Sequence, residues 1–162
     1  MDQSTGVFIT QLLADFEQWD ELLALIMRAF ASMDGVIDPP SSAHLLTVDG
    51  LKAKAGHETG FLALSDGQIV GCVFVQERTD DFYVGKLAVD PGFQGKGIGK
   101  RLMQVIEDLV RSRNKTAIEL QTRIELTGNH TAFARLGFRE TGRTAHGGYD
   151  RPTSITMRKV LA

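Results

Sequence analysis

Apolar residues recur along this chain with two spacings, every second position in some stretches and every third or fourth in others. The switches between them divide it into strands and helices. Val7 to Leu13 predicts a first strand. Phe16, Trp19, Leu22, Leu23, Ile26 and Phe30 then share one face of a helix, with Asp15 and Gln18 at the spacing of a helix cap. The segment 34–42, with Gly35, Pro39 and Pro40, reads as a loop, and 47–55 as a second short helix. Phe61 to Leu64 and Ile69 to Val75 flank Ser65-Asp66-Gly67, and the Asp-Gly pair predicts a hairpin turn. After a polar turn at 78–81, Phe82 to Val89 reads as the next antiparallel strand. A long amphipathic helix follows, with Ile98, Leu102, Val105, Ile106, Leu109 and Val110 on one face and Lys100, Arg101, Gln104, Glu107, Asp108 and Arg111 on the other. Ala117 to Thr122 is a strand with Ile118 and Leu120 inward. A helix over 129–136 ends at Gly137, and strands follow over 138–144 and 155–160. The strand–helix–strand connection from Val89 to Ala117 favours parallel neighbours. Together these elements predict an α/β fold, a mixed central sheet with helices on both faces.

The stretch from Lys86 to Arg101 carries the first chemistry. A strand ends at Val89, turns at Asp90-Pro91-Gly92, and passes Gly95, Gly97 and Gly99 into the long helix. Amides in the first turn of a helix lack intrahelical partners and sit at the positive end of its dipole, so such a loop suits a diphosphate. Glycines let the backbone approach the anion, and Lys96, Lys100 and Arg101 add positive charge. Three glycines at a helix start each cost up to about 1 kcal/mol, which argues against a turn without a ligand. Two familiar glycine loops are excluded. A P-loop places four residues before its Gly-Lys pair and a hydroxyl after it, whereas only Phe93 and Gln94 separate Gly92 from Gly95-Lys96, and Gly97 follows. A dinucleotide GxGxxG fails because Lys100 and Leu102 stand where its third glycine belongs.

Gln94-x-x-Gly97-x-Gly99, entered by Leu87-Ala88-Val89-Asp90-Pro91, resembles the acetyl-coenzyme A signature of the GNAT superfamily of N-acetyltransferases. Asn129-x-x-x-Phe133-x-x-x-Gly137-Phe138 is similar to that family's second cofactor segment, and the order of the two segments agrees. The resemblance implies acetyl-CoA as co-substrate. It implies contacts from Leu87, Ala88, Val89, Gln94, Gly95, Lys96, Gly97, Ile98, Gly99, Lys100, Asn129 and Phe133. It also implies that the strands at 82–89 and 116–122 splay apart, so that the pantetheine arm pairs with freed backbone at Leu87 to Val89, as an added strand would. Asn129 then either hydrogen-bonds the pantetheine or caps its helix.

Amine acetylation needs an uncharged amine, a polarised thioester carbonyl and a proton for the leaving thiolate. Backbone N–H groups near Leu87 to Val89 are the expected oxyanion donors. At the proton-handling positions the chain departs from the resembling family. Many members carry Tyr where Phe133 stands, and histone-type members carry Glu where Tyr83 stands. Tyr83 is a poor base at an ordinary phenol pKa near ~10, but it projects from its strand beside the expected thioester and is the alternative acid. Glu77 and Asp81, beside the turn into that strand, offer carboxylates. The segment 145–152 places His146, Tyr149, Asp150 and Arg151 within a few residues, which makes it the expected source of acceptor contacts, with Tyr149 as replacement acid and His146 positioning the acceptor.

The 162 residues, 43% of them hydrophobic, suit one domain over 1–162. With 18 basic against 20 acidic residues the chain lacks the excess expected of a nucleic-acid binder. No charged leader with an apolar core and no span-length apolar run is present, so neither a membrane partner nor export is expected, and the expected location is cytoplasmic. The single cysteine, Cys72, lies in an apolar strand and reads as a buried thiol. The four histidines show no metal-ligand spacing, and no metal is expected. Monomer and homodimer are both left open. The leading function is acetyl transfer to the amine of a small molecule. The alternatives are transfer to a protein lysine or N-terminus, or a non-catalytic acetyl-CoA sensor, which the absent tyrosine keeps in play.

Overall fold

The computed structural model describes residues 6–161. Seven strands form one sheet: β1 (Val7–Gln11), β2 (Thr59–Ser65), β3 (Gln68–Glu77), β4 (Phe82–Val89), β5 (Ala117–Arg123), β6 (Arg139–Thr144) and β7 (Ser154–Val160). Their order across the sheet is β1-β2-β3-β4-β5-β7-β6, antiparallel except for β4 beside β5. The helices are α1 (Trp19–Phe30), α2 (Val48–His57), α3 (Ile98–Ser112) and α4 (Thr127–Arg135). One face of the sheet packs on α1 and α2 through Leu22, Leu25, Ile26 and Leu51 against Leu62, Cys72 and Phe74. The other packs on α3, whose Ile98, Leu102, Met103, Ile106 and Val110 are all buried. Five such side chains contribute roughly 7–15 kcal/mol at ~1.5–3 kcal/mol each, well above the cost of the glycines at the helix start. That margin lets α3 begin on a backbone shaped for another purpose.

Beside β5 the sheet stays closed only to the middle of β4 and then opens. Phe82, Tyr83 and Val84 pair with Ile118, Glu119 and Leu120, and the pairing stops there. On the other side β4 is kept in the sheet by β3, where a bulge sets Val73 against both Lys86 and Leu87, with Lys86 at φ 52°. Past Val84 the two strands diverge, because β5 follows β7 all the way from Ala117 to Arg123.

Several element ends differ from the sequence expectation. Helix α1 starts at Trp19, and Gln18 holds the cap position without a side-chain bond to the helix backbone. Asp15 lies outside, because Phe16 packs edge-on against Trp19 at 4.9 Å instead of joining the helix. The loop after α1 contains short 3-10 turns at 31–33 and 42–45. Thr47 caps α2 by accepting the Gly50 N–H at 3.0 Å. Helix α4 begins at Thr127, with Leu126 as its cap residue, and Gly137 at φ 99° ends it. Among the described residues no helix is long and apolar enough to cross a membrane.

Candidate active site

The loop leaving β4 is braced by Asp90. Its carboxylate accepts the Gly92 N–H at 2.9 Å and two bonds from Arg28 of α1, at 3.0 and 3.2 Å. Gly95 and Gly97 adopt φ 78° and 81°, the left-handed region that favours glycine, and a Cβ at either would meet nothing within 4 Å. The first bond into α3 runs from the Arg101 N–H to the Gly97 carbonyl at 3.0 Å, and the amides from Gly95 to Lys100 have no backbone acceptor among the described residues. This is a row of unpaired donors beside open space at a helix N-terminus, which fits a diphosphate. The basic residues are not all arranged around it. Lys96 lies over the Phe93 ring at 5.5 Å, Lys100 lines a separate groove with Arg135 and Lys159, and Arg101 donates to the Val7 carbonyl at 2.9 Å and so tethers β1. Gln94 reaches back to the Val89 carbonyl at 3.4 Å.

From this loop a cavity lined by Leu87, Val89, Gln94, Gly97, Asn129 and Phe133 leads to a second one in the gap between β4 and β5. The two share Leu87, Asn129 and Phe133. Asn129 sits inside α4 rather than at its cap, which removes capping as the reason for its side chain. Phe133 stacks edge-on with Phe138 at 5.8 Å. Ile98 and Ala88 are both only 2% exposed, so their side chains belong to the core. Thr122, 7% exposed, lines the gap and leaves its buried Oγ1 without a partner. Unpaired strand edges and an orphaned hydroxyl at one gap suit an amide-bearing arm such as pantetheine.

The gap continues into a third cavity of about 550 Å³, which shares Ser41, Gln121, Thr122 and Arg123 with it. Its wall is the α1–α2 connection, held onto β5 by Arg123, which donates to the Pro39 carbonyl at 2.6 Å and the Pro40 carbonyl at 3.1 Å. His146 lines this cavity, its backbone N–H bonded to Thr153 Oγ1 at 2.9 Å and its Nδ1 meeting the same hydroxyl.

The remaining candidates stand elsewhere. Tyr149 lines none of the three cavities. Its hydroxyl donates to Asp38 Oδ1 at 2.6 Å, and that bond raises the phenol above its ordinary pKa, which makes it a weaker acid. Tyr83 lies under the Arg78 guanidinium at 5.2 Å, and burial, with Glu119 beside it, raises its phenol too. Asp81 is bound by Arg78 at 2.6 Å and by Arg158 at 2.6 Å, and the Arg78 bonds hold its carboxyl down at about 2. Glu77 is taken up by Arg113 at 2.7 Å and Lys115 at 3.6 Å. The two turn carboxylates are therefore structural ion pairs, not bases. What the sequence did not single out is Lys86 and Arg123, the two cations on the walls of the gap and the third cavity.

The family model described as the acetyltransferase (GNAT) family matches residues 17–138. The chain belongs to that family. Its domain is an acetyltransferase domain with acetyl-CoA as co-substrate. The IAA acetyltransferase of Azospirillum brasilense is 32% identical over 130 residues, covering 78% of this chain and 82% of that protein. The N-acetylaspartate synthetase of Danio rerio is 36% identical over 86 residues, 52% of this chain, and the matched part spans only 30% of that longer protein. Among solved structures, the PaiA N-acetyltransferase of Thermoplasma acidophilum in complex with coenzyme A superposes with a TM-score of 0.80 over 95% of this chain and 99% of its own, at 14% identity, a likeness of fold.

Proposed function

We propose that this acetyltransferase domain moves an acetyl group from acetyl-CoA to the primary amine of a small molecule by direct attack. The observation that carries the reading is the continuity of three spaces. The unpaired amides of 95–100 lead through the β4–β5 gap into a cavity of about 550 Å³, within the range of small-molecule sites. The Pro39–Ser42 segment, pinned by Arg123, forms one wall of that cavity, and its size supports a small acceptor.

In this reading the amine nitrogen bonds to the acetyl carbon, the carbon–sulfur bond breaks, and the sulfur leaves as the thiolate of coenzyme A. The surplus amine proton passes to solvent. Backbone amides beside the bulge at Lys86–Leu87 stabilise the developing oxyanion. Phe133 supplies no proton, and Tyr149 is committed to Asp38, so the thiolate, with a pKa near ~8.5, departs largely without help from an acid. His146 faces the acceptor. The test is a panel of small amines incubated with acetyl-CoA and no added protein, with free thiol as readout. Amine-dependent thiol release is expected. Release only with peptides bearing lysine or a free N-terminus would replace the reading with protein acetylation, and saturable acetyl-CoA binding with no release from any acceptor would leave a sensor.

A further inference from the structure

We propose that the acceptor is an amine that also carries a carboxylate, an amino-acid-like molecule, held by Lys86 and Arg123. The proposal rests on the acetyl-transfer reading of the same site. Its ground is the charge balance of the walls. Neither the gap nor the 550 Å³ cavity is lined by a single Asp or Glu, whereas Lys86 lines the gap and Arg123 lines both. A cavity built for a polyamine or another polycationic acceptor would present carboxylates to it.

Most carboxylates in the neighbourhood are taken, the exception being Glu125, two residues past Arg123, which accepts the Asp38 N–H at 3.2 Å through Oε2 and leaves its buried Oε1 without a partner among the described residues. Glu58 is bound to Lys54 at 2.8 Å, Glu119 to Arg78 at 3.1 Å and Arg158 at 3.3 Å, and Asp34 to His44 at 2.6 Å. The two wall cations have only neutral partners. Lys86 donates to Ser42 Oγ at 3.3 Å and lies 5.8 Å from the Phe30 ring, and Arg123 donates to two proline carbonyls. Lys86 is half-buried, and burial together with the Lys54 ammonium depresses its pKa. A half-buried cation with no counter-ion among the described residues is destabilised until an anion arrives. Lys86 lines the gap from β4, and Arg123, on β5 across the splay, lines both the gap and the acceptor cavity, so an anionic group held by them places the rest of the acceptor next to the thioester. The same positive surroundings disfavour an ammonium and favour the uncharged, attacking amine.

The experiment pairs amino acids with the amines left by removing their carboxylate: L-leucine with isopentylamine, L-tyrosine with tyramine, L-lysine with cadaverine. Each is tested with acetyl-CoA for thiol release, and for binding to the coenzyme A-loaded protein by ligand-observed NMR. The amino acids are expected to exceed their partner amines by about 10-fold or more in kcat/KM, the size of one charge-assisted contact. Lys86→Met is expected to erase most of that ratio by raising the KM of the amino acids more than that of their partner amines, and Lys86→Arg to keep it. Retained acetyl-CoA binding shows each variant to be folded. Equal or better use of the decarboxylated amines, or a ratio unmoved in Lys86→Met, overturns the anion site and leaves acetyl transfer standing. Lys86-dependent binding of amino acids with no thiol release supports the anion site while overturning acetyl transfer. No Lys86-dependent binding of any amino acid overturns the proposal.

Discussion

Replacing Gly97 by Glu separates the two properties of the glycine loop, its backbone shape and its openness to an anion. Gly97 lies at φ 81°, so any side chain there costs roughly 1–2 kcal/mol, but nothing stands within 4 Å of the new Cβ and the fold tolerates it. For a chain of this size that strain lowers the Tm by about 2–8 °C. Acetyl-CoA at 100 times its Kd stabilises the wild type by about 2.7 kcal/mol, a rise of about 5–11 °C. A carboxylate about 5 Å from one phosphate charge is repelled by roughly 3 kcal/mol at an effective dielectric of ~20, which weakens binding more than ~100-fold. At the same ligand concentration the remaining stabilisation falls below about 0.5 kcal/mol, a shift of about 1–2 °C at most. Gly97→Ala carries the strain without the charge, so it is expected to start from a similarly lowered Tm and still show a clear shift. Thermal melts of the three proteins with and without acetyl-CoA, with circular dichroism to verify folding, read out both effects. A Gly97→Glu protein that is folded and shifts as the wild type does would refute the assignment of the diphosphate to this loop.

Tyr149→Phe is expected to leave kcat within about 2-fold, because the hydroxyl is spent on Asp38 and lines none of the three cavities. Steady-state kinetics showing a fall of ~100-fold, the size of a lost general acid, would put the phenol back at the sulfur. Asp81→Asn is expected to cost about 1–2 kcal/mol, since it takes one carboxylate from Arg78 and Arg158, which are part-exposed and keep Glu119. The Asp81 carboxyl is held at about 2, below its unfolded value near ~4. Its contribution is therefore complete above about pH 4 and is lost as pH falls from about 4 to about 2, so the wild-type advantage in Tm should shrink over that window and persist at pH 7. Cys72, fully buried and with its thiol pushed up to about 12 by burial, should resist a thiol reagent at pH 8 until the protein unfolds; labelling of the native protein within minutes would contradict its packing against α1 and α2.

What could be read from the sequence follows from how far apart the interacting residues lie. The hairpin at Asp66-Gly67 is set by two adjacent residues, and their φ values of 51° and 80° are those the Asp-Gly pair favours. β4 covers 82–89 as its alternation indicates, and the glycine loop is legible because its unpaired amides all come from one run of backbone. Asp15 and Gln18 mislead at the start of α1, since cap spacing alone does not show that Phe16 turns away to meet Trp19. The insertion of β7 between β5 and β6 is a long-range pairing with no local mark. Arg101 reads as a phosphate contact until its bond to Val7, 94 positions away, is seen, and Tyr149 as a free acid until Asp38, 111 positions away, is found against it. The acceptor half of the site is wholly of this kind. Ser42 meets Lys86 across 44 positions and Arg123 meets Pro39 across 84. A main-chain recognition loop must be contiguous and so leaves a spacing in the sequence, whereas a side-chain pocket gathered from four separate segments leaves none. What such a pocket offers a ligand therefore shows only in its lining, and here the gap and the third cavity present Lys86 and Arg123 and no carboxylate.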